Sequence, residues 1–107
     1  MEYKIDLEEL NKELRKEVIL SNVSKLEIMV DEFVNSEIQD EELFMEIKKL
    51  ESKIFMMLID YLSHYSKEKE FPKVHISNED RKFCSSINEK CVDLTLKALE
   101  QLNENKR

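Results

Sequence analysis

Apolar residues recur every three or four positions along the middle of the chain, between residues 40 and 69. The recurring positions are Leu43, Ile47, Leu50, Ile54, Met57 and Tyr61. Because this spacing places side chains on one face of an α-helix, the pattern predicts one long central helix. Residues 54–59 are all apolar, and a run of that length more than encircles a helix at about 100° per residue. We therefore expect the central helix to be flanked on two sides, either by its own chain alone or by its chain on one side and a second molecule on the other.

The first third of the chain carries two apolar stripes. The earlier stripe comprises Leu7, Leu10, Leu14 and Val18, and the later one comprises Ile19, Val23, Leu26, Val30 and Phe33. On a continuous helix these stripes point more than about 100° apart. Ser24 and Glu27 form a capping box close to the change of direction, where a new helix could begin. A break near residue 22 and one unbroken helix over residues 7–36 both fit the pattern.

Boundary signals separate the predicted helices. Asp6 is suited to cap the first helix, and Ser36 or Asp40 is suited to cap the central one. Pro72 disfavours helix at the residue before it, so the central helix should end by residue 70. Residues 71–76 then form a linker.

Ser77 or Asn78 is suited to cap a last helix that ends near residue 103. Its apolar face carries Phe83, Cys84, Ile87, Cys91, Leu94, Ala98 and Leu102. Short connectors join antiparallel neighbours. The sequence thus predicts a single all-α domain over residues 1–107, an antiparallel bundle of three long helices. A four-helix bundle is the alternative if the first helix is broken.

Composition and charge restrict the function classes. The chain has 107 residues, one proline and no glycine, so phosphate-binding loops built on glycine are missing. A net charge of −7 opposes general nucleic-acid binding, because phosphate contacts need an excess of lysine and arginine. There is no apolar run long enough to span a membrane and no signal-peptide pattern at the N-terminus. We expect an acidic cytoplasmic protein without a membrane partner.

Four side chains could bind a metal: Cys84, Cys91, His64 and His75. Helical ligand pairs lie three or four residues apart, whereas the cysteines are seven apart. With Ala98 they continue a row of small residues, which is typical of close packing. Neither histidine has a sequence neighbour that would make it a catalytic base. We predict no enzyme activity, no cofactor and no metal, and a metal- or small-molecule-binding bundle is the weakest alternative.

A second stripe on the central helix is the candidate partner surface. Met45, Met56 and Ile59 point roughly 100° to 160° away from Met57. Methionine side chains form adaptable contact surfaces. Cover of these three residues by the first helix is the alternative. We predict a non-enzymatic protein-protein interaction or regulatory module, with this stripe forming a homodimer or binding another protein.

A nucleic-acid-associated subunit of a larger assembly is the alternative function. An antiparallel bundle brings the end of the central helix close to the start of the last one, which gathers cations at one pole. These cations are Lys67, Lys69, Lys73, Arg81 and Lys82. If nucleic acid binds at all, we expect it there.

Overall fold

The protein is an all-α three-helix bundle. The structure is a computed structural model that describes residues 6–37, 40–65 and 76–104. Its helices are α1 (Leu7–Asn35), α2 (Glu41–Tyr65) and α3 (Asn78–Glu104), and each packs against the other two. The described ranges contain no strand. The predicted fold class is confirmed, whereas the expected end of the central helix near residue 70 lies outside the described residues.

Contacts at the two ends of the bundle show that the helices run up, down and up. At one pole, Asp80 near the start of α3 contacts both Lys12 near the start of α1 and Tyr61 near the end of α2. At the other pole, Phe33 near the end of α1 packs against Phe44 near the start of α2, with 5.9 Å between the ring centroids. The antiparallel arrangement expected from the short connectors follows from these contacts.

Helix α1 is continuous through residue 22, so the four-helix alternative is not the structure of this chain. Asp6 caps it, because its Oδ1 accepts hydrogen bonds of 3.1 Å from the backbone N–H groups of Glu8 and Glu9. The Ser24 and Glu27 pair, which resembled a second helix start, lies inside the helix. There Glu27 forms an ion pair with Lys90 of α3.

The other two helices begin at capping residues that the sequence had suggested. Asp40 Oδ1 accepts a 2.9 Å hydrogen bond from the backbone N–H of Glu42 at the start of α2. Ser77 Oγ accepts one of 3.2 Å from the backbone N–H of Asp80 at the start of α3. In each case a side-chain oxygen satisfies an N–H group that has no partner within the helix.

All three helices contribute to one apolar core. The buried apolar residues are Ile19, Val23, Leu26, Val30, Phe33, Ile47, Ile54, Leu58, Tyr61, Cys84, Ile87, Cys91, Ala98 and Leu102. Every buried residue of α1 lies at or after Ile19. The later of the two α1 stripes therefore faces the core, and the earlier stripe does not.

Candidate interaction surfaces

The stripe predicted on the central helix is exposed. Met45, Met56 and Ile59 have exposed fractions of 55%, 56% and 43%. The first helix does not cover them, although α1 and α3 both pack on α2. Cover from two neighbours thus leaves part of the apolar run between residues 54 and 59 in contact with solvent.

This exposed area continues from α2 onto α3. Phe55 and Met56 line one side of a groove of about 480 Å³, and Val92 lies on the other side. From Val92, exposed Leu96 and Leu99 follow along α3 at helical spacing. We call this surface the α2–α3 patch: Met45, Phe55, Met56, Ile59, Val92, Leu96 and Leu99. It is larger than the three-residue stripe that the sequence indicated.

Paired charges of both signs lie on α2 beside the patch. Lys49 contacts Glu46 at 3.2 Å, and Lys48 contacts Glu51 at 3.0 Å. Each pair lies within one turn of the helix, so the opposite charges are close to each other and largely compensate. The α2 margin of the patch therefore has no strong net sign.

A second exposed apolar surface runs along the first turns of α1. We call it the α1 stripe: Leu7, Leu10, Leu14 and Val18, with exposed fractions between 48% and 67%. A groove of about 470 Å³ separates Leu14 and Val18 from Met57 and Asp60 of α2. The stripe lies on a different part of the bundle from the α2–α3 patch, because its groove is formed with the opposite flank of α2.

The inward face of α1 at this pole is polar because it supplies a cation to a buried carboxylate. Asp80 is only 2% exposed, and its Oδ2 accepts hydrogen bonds of 3.0 Å from Lys12 Nζ and 2.9 Å from Ser77 Oγ. Its Oδ1 accepts one of 2.8 Å from the Tyr61 hydroxyl. One carboxylate thus connects all three helices.

These contacts perturb the titration of the groups involved. Burial by itself would raise the pKa of Asp80, but hydrogen bonds from Tyr61, Lys12 and Ser77 outweigh burial and hold the pKa below its ordinary value. Burial would lower the pKa of Lys12, yet its hydrogen bond to Asp80 and the charge of Asp80 raise it. Burial, followed by the hydrogen bond to Asp80, raises the pKa of Tyr61. The stable state at neutral pH is an ion pair with a neutral phenol.

Aromatic rings and further cations surround this carboxylate. The Tyr61 ring lies 4.9 Å from that of Tyr65 and 5.6 Å from that of Phe83, measured between centroids. Lys12 Nζ and Arg15 Cζ lie 5.3 and 5.9 Å from the centre of the Tyr65 ring, within cation–π range. The Tyr65 hydroxyl is buried without a hydrogen-bond partner among the described residues.

Apolar periodicity did not predict the role of Asp80, although the sequence contains a signal for it. The core face of α1, followed backwards from Ile19 in helical steps, reaches Lys16 and Lys12 instead of apolar residues. Asp80 likewise lies four residues before Cys84 on the apolar face of α3. Polar residues that continue an apolar face on two helices indicate a buried ion pair.

The structure describes three of the four side chains considered as metal ligands. Cys84 and Cys91 are buried free thiols, and burial above all raises the pKa of each to about 11. His64 is exposed in the last turn of α2, with its ring centre 4.6 Å from that of Tyr65. His75 lies outside the described residues. Within those residues no three His, Cys, Asp or Glu side chains are grouped as metal ligands.

The proposed basic pole is only partly described. Arg81 and Lys82 are exposed in the first turns of α3, whereas Lys67, Lys69 and Lys73 lie outside the described residues.

Comparisons with protein-family models, with curated proteins and with solved structures give no match to this chain. Among the described helices, none is long and apolar enough to cross a membrane. The two exposed apolar surfaces are the features of the described residues that suggest a function.

Proposed function

We propose that the protein is a non-enzymatic protein-protein interaction module that self-associates through the α2–α3 patch. The observation that carries this proposal is the extent of the patch, because seven large apolar residues on two adjacent helices are each more than a third exposed. Single exposed apolar residues are ordinary, but a concentration of them along two adjacent helices of a small protein is typical of an interaction site. The cytoplasm is the location that we predict for it.

The charge pattern on the α2 margin of the patch favours a second copy as the partner. In a two-fold symmetric dimer each patch contacts an identical patch. A margin that carried charges of only one sign would therefore repel the same margin of the second copy. The Lys49–Glu46 and Lys48–Glu51 pairs avoid that penalty because each carries both signs. Met45 and Met56 add flexible side chains that can adapt to a symmetric contact.

The proposal is tested by measuring mass in solution. We expect light scattering after size-exclusion chromatography to give the mass of two chains for the wild type. We expect Met56→Asp to give the mass of one chain with an unchanged helical circular-dichroism signal, because burying the new carboxylate at the interface would be costly. The matched control is Ile28→Asp, which introduces the same charge at a 59% exposed apolar residue of α1 and should remain dimeric.

Two results would contradict this proposal. A wild type that stays monomeric across a dilution series would exclude self-association. A dimer that tolerates Met56→Asp as well as it tolerates Ile28→Asp would exclude the α2–α3 patch as the interface.

A further inference from the structure

We propose that the α1 stripe is a docking surface for a basic amphipathic helix of a partner protein. The stripe places four large apolar side chains at intervals of three, four and four residues, which produces one apolar line along a helix. This line is the feature that a second helix recognises when it packs lengthwise into a groove.

The Asp80 contacts explain why α1 cannot bury this stripe within its own bundle. A rotation of α1 about its own axis that turned Leu10 and Leu14 inward would move Lys12 away from Asp80. The carboxylate, 2% exposed, would then be left as a buried charge without its cation, which is strongly unfavourable. The ion pair and the buried residues from Ile19 onward thus fix the rotation of α1 together and keep the leucines on the outside.

The groove beside the stripe gives a docked helix a place to insert side chains. Leu14, Val18 and Met57 provide apolar walls for its volume of about 470 Å³. The depression runs between α1 and α2, so a helix that lies along α1 can bury side chains in it at helical spacing.

The charges around the stripe identify the chemistry of the occupant. Glu13 and Glu17 follow the outer side of α1, and Asp60 lies across the groove on α2. Glu17 and Asp60 form no ion pair with any residue in the described ranges, and Glu13 has only a 3.6 Å contact with Lys16. Arg15 lines the same groove, but its guanidinium lies over the Tyr65 ring. Carboxylates on both sides favour a helix with lysine or arginine flanking its apolar face.

The same charges disfavour a second copy of this chain on the stripe. Antiparallel helices that pair by two-fold symmetry place the same flank of each against the other. Glu13 and Glu17 would then approach the same residues of the second copy, and like charges would repel. The margin formed by Glu13 and Glu17 is thus negatively charged, whereas the charges on the α2 margin of the α2–α3 patch are paired.

Synthetic helices test the proposal directly. The probe is a fluorescent peptide of about 18 residues with leucines along one face and lysines on both flanks, and the control peptide carries glutamate at every lysine position. By fluorescence anisotropy at low salt, we expect the lysine peptide to bind at least about tenfold more tightly than the glutamate peptide. Leu14→Asp should remove most of this binding, and circular dichroism should show that the exposed substitution leaves the fold intact.

A charge exchange makes the test specific. The double variant Glu17→Lys and Asp60→Lys should reverse the preference, so that the glutamate peptide becomes the tighter ligand. Met56→Asp should bind the lysine peptide like the wild type, since Met56 lies on the other surface. This control keeps the proposal independent of dimer formation through the α2–α3 patch.

Three results would overturn the docking proposal. The first is equal binding of the two peptides, or binding that Leu14→Asp leaves unchanged. The second is a dimer in the Met56→Asp background that Leu14→Asp dissociates, because a second copy would then occupy the stripe. The third is Leu14-dependent binding to vesicles of anionic lipid with no binding of the lysine peptide, which would assign the stripe to a lipid surface.

Discussion

Tyr61 donates a 2.8 Å hydrogen bond to Oδ1 of Asp80, and this contact joins the last turns of α2 to the first turn of α3. The other oxygen of the same carboxylate accepts the hydrogen bond from Lys12 of α1. A group that is nearly inaccessible to water thus holds one pole of the bundle together. Its removal should affect all three helices.

We expect Asp80→Ala to lower the free energy of unfolding by about 3 kcal/mol, because the substitution leaves Lys12 and the Tyr61 hydroxyl without their partner. Breaking a buried ion pair costs about 3 to 5 kcal/mol. We expect the lower value because the Lys12 side chain is 21% exposed and can reach water. Urea denaturation measures this change. The control Asp93→Ala, at an exposed site on α3, should stay within about 0.5 kcal/mol of the wild type. A loss at Asp80 no larger than at Asp93 would contradict the structural role.

Two tyrosines four residues apart should respond differently to loss of their hydroxyl groups. Tyr61→Phe removes a hydrogen bond to a charged group and should cost about 1.5 to 3 kcal/mol. Tyr65→Phe removes a buried hydroxyl that has no partner among the described residues, so we expect no loss or a gain of up to about 1 kcal/mol. Each variant serves as the other's control in urea denaturation, since both delete the same atom. Equal losses would show that the Tyr65 hydroxyl is satisfied in solution.

Stability should fall in acid because the pKa of Asp80 is lower in the folded chain than its ordinary value of 3.8. The unfolded chain therefore takes up this proton at a higher pH than the folded chain does. The contribution of Asp80 is complete above the unfolded pKa and disappears as the pH falls through the folded pKa. Urea midpoints measured from about pH 6 down to about pH 2 should show the difference between wild type and Asp80→Asn shrinking below about pH 4. A difference that stays constant over this range would contradict the lowered pKa.

Stability should also fall in alkali, for the opposite reason. Unfolded thiols ionise near pH 9.0, whereas burial raises the pKa of Cys84 and Cys91 to about 11 in the folded chain. The unfolded chain loses these protons first, so their contribution declines as the pH rises above about 9. Replacing both cysteines with alanine should make the urea midpoint less dependent on pH between about 9 and 11. If the urea midpoint of the variant depended on pH as strongly as that of the wild type, the raised pKa of the two thiols would be contradicted.

Replacement of the cysteines at neutral pH tests their packing. The double change to alanine should keep the helical signal and cost a modest amount of stability through lost volume. Cys91→Leu should cost about 1 to 3 kcal/mol, because Cys91 is 3% exposed and a larger side chain overpacks the core. Thermal and urea denaturation measure both effects. A gain in stability for Cys91→Leu would reveal unfilled space beside the thiol.

Periodicity was sufficient to predict the core side of the fold. The three- and four-residue spacing of Ile47, Ile54 and Tyr61 identified the buried face of α2, because burial in a helix depends on angular position. Helix starts were also predictable, since Asp6 and Asp40 satisfy backbone N–H groups locally. Each of these features depends on residues close together in sequence.

The features that periodicity did not reveal depend on distant residues. The sequence left open whether α1 breaks near residue 22, because the change of stripe direction fits two helices or one helix with polar contacts at its start. The structure has one continuous helix, and the contact between Lys12 and Asp80, 68 positions apart, accounts for its polar start. The α2–α3 patch was similarly underestimated, since Val92 joins Phe55 only when α3 packs beside α2.

The two halves of α1 are attached to the bundle by different forces. From Ile19 onward α1 is held mainly by apolar burial, together with the Glu27–Lys90 ion pair. The preceding turns depend on the Lys12–Asp80 ion pair and on cations over aromatic rings. No residue of α1 before Ile19 is buried, and the Lys12–Asp80 pair is itself too well buried for salt to screen it strongly. Local opening of the first turns should therefore need less free energy than opening of the rest of α1, and backbone amides there should exchange with deuterium sooner. The α1 stripe therefore lies on the turns of α1 that open first, while the half of α1 in the core stays closed.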